Sequence, residues 1–179
     1  MASRLRGLLR SFSCALSGLG CALRRERNLR IHFCAAAAVL WLSRALGATR
    51  SEHAALLLAC TLVIAAELLN TAVEYAVDAF TDRYSLPARR AKDTAAAAVL
   101  CTAAGAVCTG IAVLWRPQAL LALLSAAGES PARIAAAVLL LAAALLFVFL
   151  PGSKRPAPEP PCVSEAPHTS GQTPGPPAL

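Results

Sequence analysis

Four apolar stretches, 31–47, 54–80, 94–115 and 133–150, approach the roughly 20 residues a helix needs to cross about 30 Å of hydrocarbon. Each predicts a transmembrane helix. The first is short and carries Arg44 near its far end, where a long side chain can reach back to the interface. It also looks like the apolar core of a signal sequence, followed by Ala45-Leu46-Gly47-Ala48. The thirty residues ahead of it are too many for a signal peptide, so an uncleaved anchor is expected. Within those residues Leu5, Leu8, Leu9, Phe12, Leu16, Leu19 and Leu23 recur every three or four positions, with Arg6 and Arg10 between them. That is the pattern of an amphipathic helix, lying on the bilayer surface or packed on the bundle.

After Leu150 the pattern stops. Nine of the twelve prolines fall in the last 29 residues, among Ser, Thr and Gly, and such a segment buries too little apolar surface to order itself. The expected class is all-α: an integral membrane helical bundle with an interfacial helix over 1–30, a three-helix core over 31–116, a linker and fourth transmembrane helix over 117–150, and a proline-rich disordered tail over 151–179.

Composition agrees with lipid as the solvent. The 179 residues are 57% hydrophobic and 15% charged, against about 25% charged in ordinary soluble domains. The net charge of +7 does not point to nucleic acid, because the 17 basic residues form short clusters beside apolar runs and aromatics are only 5%. The clusters set the orientation instead. Seven arginines precede the first span, four basic residues lie between the second and third, and two follow the fourth, thirteen against the four on the opposite side. By the positive-inside rule both termini are cytoplasmic. The seven cysteines show neither CxxC pairs nor zinc spacing and read as small apolar residues in a reducing or lipid setting.

The informative segment is Glu67-Leu68-Leu69-Asn70-Thr71-Ala72-Val73-Glu74-Tyr75-Ala76-Val77-Asp78. At about 100° per residue, Glu74 and Asp78 fall within some 20° of Glu67, with Asn70 and Thr71 flanking. A carboxylate at bilayer depth costs about 2.5–3.5 kcal/mol even on the lenient insertion scale. Three on one face therefore call for partners: metal, water, cations or substrate. Glu67 and Asp78 differ in depth by about 16 Å, and Glu67 and Glu74 by about 10 Å, too far apart to chelate one ion together. A metal at Glu74 needs a second carboxylate, and Glu26, the one acid ahead of the first span and at the same membrane face, is the candidate. Lys92 and Asp93 open the third span. Asp93 suits a helix cap, and Lys92, opposite Glu74 and Asp78, suits a phosphate. With no glycine between Gly47 and Gly105, a phosphate site here must be made of charged side chains and metal rather than a glycine loop.

These residues resemble a known family, the small bacterial integral-membrane lipid kinases comprising diacylglycerol kinase and undecaprenol kinase. The resemblance rests on the segment from Glu67 to Glu74 with Asp78, on Ala91-Lys92-Asp93 followed by Ala96-Ala97-Ala98-Val99, and on Glu26-Arg27-Asn28 with His32. It implies an ATP-dependent transfer of phosphate to a lipid hydroxyl at the cytoplasmic face of the bacterial inner membrane, in a homotrimer. By the same resemblance Glu67 is the catalytic base, Glu26 and Glu74 hold the Mg2+ on ATP, and Asn70, Asp78, Lys92 and Asp93 line the nucleotide site. Glu26-Arg27-Asn28 and Thr81-Asp82 lean toward the undecaprenol branch. The chain departs from the family in the loop Arg83-Tyr84-Ser85-Leu86-Pro87, which lacks acidic or histidine residues, and in its extra span and tail.

A competing reading of the same carboxylates is a proton or cation pathway. It is weakened beyond Glu67, where that helix offers only Thr61 and Cys60 toward the far side. In the third span Ala97, Cys101, Gly105 and Thr109 form a small-residue stripe suited to close helix packing. The fourth span has no polar residue after Arg133, which puts it at the lipid-facing edge.

Overall fold

The computed structural model describes residues 2–80 and 85–150, so the tail from 151 and the Thr81-Asp82 and Arg83-Tyr84 positions lie outside the described residues. The described residues form helices and no strand: α1 (Ala2–Arg25), α2 (Arg27–Ala45), α3 (Arg50–Phe80), α4 (Leu86–Leu114), α5 (Pro117–Gly128) and α6 (Pro131–Phe149). Residues 2–20 belong to one compact unit and residues 21–150 to a second.

In the first unit, Leu5, Leu8, Leu9, Phe12 and Leu16 of α1 are exposed, as an amphipathic surface helix requires. The helix ends on Arg24 and Arg25, cations that suit the negative end of its dipole. The expected segment over 1–30 is broken at Glu26, whose extended backbone (φ −94°, ψ 112°) separates α1 from α2.

In the second unit α2, α3 and α4 pack in sequence, α3 most extensively on α4, and α6 lies against α2 and α5. Among the described residues three helices are long and apolar enough to cross a membrane: α3, α4 and α6. The expected first span does not qualify, because only the thirteen residues between Arg30 and Arg44 are uncharged, about 20 Å of helix. Two further boundaries differ. The third helix begins at Leu86 rather than Thr94, since Ser85 takes the N-cap and Pro87 suits the first turn. The expected linker after residue 116 is largely the helix α5, too short at twelve residues to cross.

The corner between α2 and α3 shows why the chain reverses there. Gly47 adopts φ +68°, and the amides of Gly47 and Ala48 donate to the carbonyls of Arg44 and Ser43 at 3.1 and 2.9 Å. This is the double closure of a helix C-terminus that favours glycine. Thr49 then caps α3. Its amide and hydroxyl both donate to Glu52 Oε2 at 2.8 Å, and the Glu52 amide returns a bond to Thr49 Oγ1 at 3.4 Å. Arg116, just after α4, ties in by donating to the carbonyls of Leu46 and Gly47 and to Glu52 Oε1 at 2.6 Å.

In the small-residue stripe of α4, Ala97, Cys101 and Gly105 are exposed and Thr109 is half-buried. Cys21, Cys34, Cys60, Cys101 and Cys108 are free thiols. Cys14 departs from the expected reduced state; it is disulfide-bonded, and it sits outside the apolar spans.

Candidate active site

The polar stripe of α3 passes the break between α1 and α2, and most of the candidate residues gather there. Glu67 is buried at 4% exposure, and Thr71, one turn on, is equally buried with its hydroxyl donating to the Glu67 carbonyl at 3.0 Å. The hydroxyl's bond within its own helix removes it from competition for the Glu67 carboxylate. The Asn28 side chain lies near enough to favour the charged form of that carboxylate, and His32, Glu26 and Glu74 lie close enough to act on it electrostatically.

Glu26 occupies the N-cap of α2 but makes no side-chain capping bond, so its carboxylate is turned to other partners. Tyr75 directs its hydroxyl at Glu26 Oε1 from 3.5 Å, at the outer limit of a hydrogen bond. One turn before Glu74, Asn70 donates from Nδ2 to Glu74 Oε1 at 3.0 Å. Its Oδ1 is buried and has no partner among the described residues. A buried carbonyl oxygen without a donor is costly, and beside two carboxylates it is a hard ligand awaiting a cation or a water.

A second group lies farther toward the end of the bundle. Lys92 reaches from α4 to Asp78 on α3, with Nζ 2.6 Å from Oδ1, where both side chains are at least one-third exposed. Asp93 lies inside α4 rather than at its start and so cannot cap it; it pairs along the helix with Arg89 at 3.6 Å. The structure thus places Glu26 and Glu74 within electrostatic reach of Glu67, bonds Asn70 to Glu74 and joins Asp78 to Lys92, while Asp93 faces solvent. Three neighbours were not among the candidate site residues: Asn28, His32 and Tyr75. Tyr75 had a signal in the sequence, because it follows Glu74 directly and is one of only two tyrosines.

From His32 an apolar groove of about 470 Å3 runs between α2, α3 and α4, lined by small and aliphatic residues such as Ala36, Val39, Cys60, Val63 and Ala103. Val63 stands one turn from Glu67, so the groove opens beside the buried carboxylate.

A family model described as prokaryotic diacylglycerol kinase matches residues 13–114. The chain belongs to this family. The prokaryotic diacylglycerol kinase match takes in every candidate residue from Glu26 to Asp93 and ends before α5 and α6. The chain is 41% identical over 111 residues to a diacylglycerol kinase of Synechocystis, covering 62% of this chain and 63% of that protein. It is 37% identical over 97 residues to an undecaprenol kinase of Bacillus subtilis, covering 54% of this chain and 79% of that protein. The chain thus spans just under two thirds of the first relative's length. With three helices able to cross a membrane, it is a bacterial membrane protein of this kinase family, and an ion pathway is not favoured.

Proposed function

We propose that the chain is a lipid kinase, transferring the γ-phosphate of ATP to the hydroxyl of a membrane lipid alcohol, diacylglycerol or undecaprenol. The observation that carries this reading is the burial of Glu67 beside Asn28 and His32, with Glu26 and Glu74 gathered around it. A lipid hydroxyl and a water-soluble donor must meet at one depth, and the α3 stripe supplies a buried carboxylate followed by progressively more exposed ones. Glu67 accepts the proton as the lipid oxygen attacks the γ-phosphorus, and ADP leaves. The groove beside Val63 gives room for the lipid's hydrocarbon.

Glu26 and Glu74 would hold Mg2+, joined by the unpartnered Asn70 Oδ1. This all-oxygen set suits a hard cation. Among the described residues no three or more His, Cys, Asp or Glu form a ready metal cluster. Magnesium takes one or two carboxylates and completes its shell with water and substrate phosphates. When bound, the ion supplies charge neutralisation on the phosphates. Lys92, released from Asp78, binds the nucleotide as a point charge, and Asp78 and Asp93 line the same mouth. The basic clusters put this end in the cytoplasm where ATP is available, and both termini with it, because α2, paired with α3 from Glu26 at Tyr75 to Ser43 at His53, crosses as part of the bundle. The exposed small-residue stripe of α4 supports assembly with further copies, a homotrimer on the family resemblance.

The test is transfer of labelled γ-phosphate from ATP in mixed micelles offering diacylglycerol and undecaprenol side by side. Magnesium-dependent label in one lipid is expected and identifies the substrate. Label in neither, from protein with intact helical content, refutes the kinase reading.

A further inference from the structure

The helix outside the family match meets the site at one point. Along α6 the single buried residue is Val148, in the last turn, and nearly all of the helix before it is exposed. Next to Val148, the ring of Phe149 lies under the guanidinium of Arg27, 4.3 Å from its carbon to the ring centroid. A helix kept for lateral packing would bury a stripe along its length; this one is fastened at its end. The arrangement is favourable twice over, because an aromatic face attracts a cation and the C-terminus of α6 carries the negative end of its dipole.

Arg27 is the first residue of α2 and directly follows Glu26. Glu26 sits in extended backbone between two helices with no side-chain cap, so its carboxylate is only as well placed as the first turn of α2. Tyr75 restrains it from one side at 3.5 Å. We infer that Phe149 is a positioning residue: by anchoring Arg27 it fixes the start of α2, and with it Glu26, for the metal–nucleotide complex. This gives α6 a role in phosphoryl transfer although it contributes no group to the reacting atoms, and it rests on the reading of Glu26 as a metal ligand.

The test compares Phe149→Leu, Phe149→Trp and Phe147→Leu in the full chain in micelles, measuring Mn2+–ATP affinity by electron paramagnetic resonance alongside transfer kinetics. For Phe149→Leu the affinity is expected to fall about three- to tenfold, with a matching rise in KM for metal–ATP and kcat within about twofold. Phe149→Trp should keep the affinity, since indole binds cations best and the site, 61% exposed, has room for it. Phe147→Leu, in the same turn but away from Arg27, should leave it unchanged. In an Arg27→Leu background, Phe149→Leu should add no further loss. Equal losses from Phe147→Leu and Phe149→Leu, failure of Phe149→Trp to rescue, or additive losses in the double variant would each overturn the inference. If the unmutated chain binds Mn2+–ATP yet labels no lipid, the kinase reading falls and the anchor is still decided by the affinities. If it binds none, both fall.

Discussion

Replacing Glu67 by Gln separates chemistry from architecture more sharply than any other change. Glutamine keeps the side chain's length and shape, and its carbonyl can still accept a bond where the carboxylate did. The neighbouring Thr71 hydroxyl bonds the backbone carbonyl of residue 67, which the substitution leaves in place. A site at 4% exposure therefore loses little packing but loses its proton acceptor. A positioned general base contributes about a hundred- to ten-thousandfold, so kcat should fall by that factor while KM for ATP and lipid stays within about threefold. Glu67→Asp keeps the base but withdraws it by one methylene. A misplacement of about 1 Å costs roughly a hundredfold, which puts Asp below the native chain and at or above Gln. The assay is initial-rate phosphate transfer in mixed micelles, with circular dichroism melting on the same samples. Transfer by Glu67→Gln within about tenfold of the native chain, in protein that melts normally, would remove Glu67 from the role of base.

Other outcomes follow from the same geometry. Asn70→Leu removes the bond to Glu74 and the orphaned oxygen together, and should raise the Mg2+ concentration for half-maximal transfer about tenfold, the scale of a hydrogen bond to a charged group; an unchanged magnesium curve would count against Asn70 as part of the metal site. Lys92→Met gives up a pair that is at least one-third exposed, of small worth to stability, so the melting temperature should hold while KM for ATP rises at least severalfold. Gly47→Ala should destabilise by about 1–2 kcal/mol through backbone strain alone, because no atom lies within 4 Å of the added methyl group, and thermal melts in micelles with unchanged KM values would show it. Chelating divalent ions should abolish transfer, and adding back Mg2+ or Mn2+ should restore it.

The stripe Glu67, Glu74 and Asp78 was legible because a carboxylate within an apolar helix stands out against everything around it. The same contrast exposed Glu26, the lone acid among arginines. Asn28 and His32 were harder to assign: either side chain is common at a helix start, and only the approach of α2 to α3 brings them to Glu67. The α4 boundary was misjudged for a local reason. Arg89, Arg90 and Lys92 interrupt the apolar run that places the span at Thr94, yet they are good helix formers, and Ser85 with Pro87 starts the helix ahead of them. Nothing in an unbroken apolar run such as α6 shows which end will be fastened, since that depends on Arg27, more than a hundred positions earlier.

The two ends of the bundle treat polar groups in opposite ways, and this divides stability from chemistry. At the α2–α3 corner the groups satisfy one another: Gly47 and Ala48 close the helix, Thr49 and Glu52 exchange bonds, and Arg116 takes up two carbonyls and a carboxylate. Such a corner is costly to rearrange and holds the three helices in register. At the other end, among the described residues, Glu26 does not cap its helix, Asn70 Oδ1 lacks a donor, and Lys92 is held by the exposed carboxylate of Asp78. The buried Asn70 oxygen costs free energy while unpartnered, and on the proposed function a metal–nucleotide complex that meets it would recover that cost on binding. The fixed corner makes this tolerable, because the cost falls on side chains at the mouth while the backbone frame stays in place to hold Glu67 where the proposed reaction needs it.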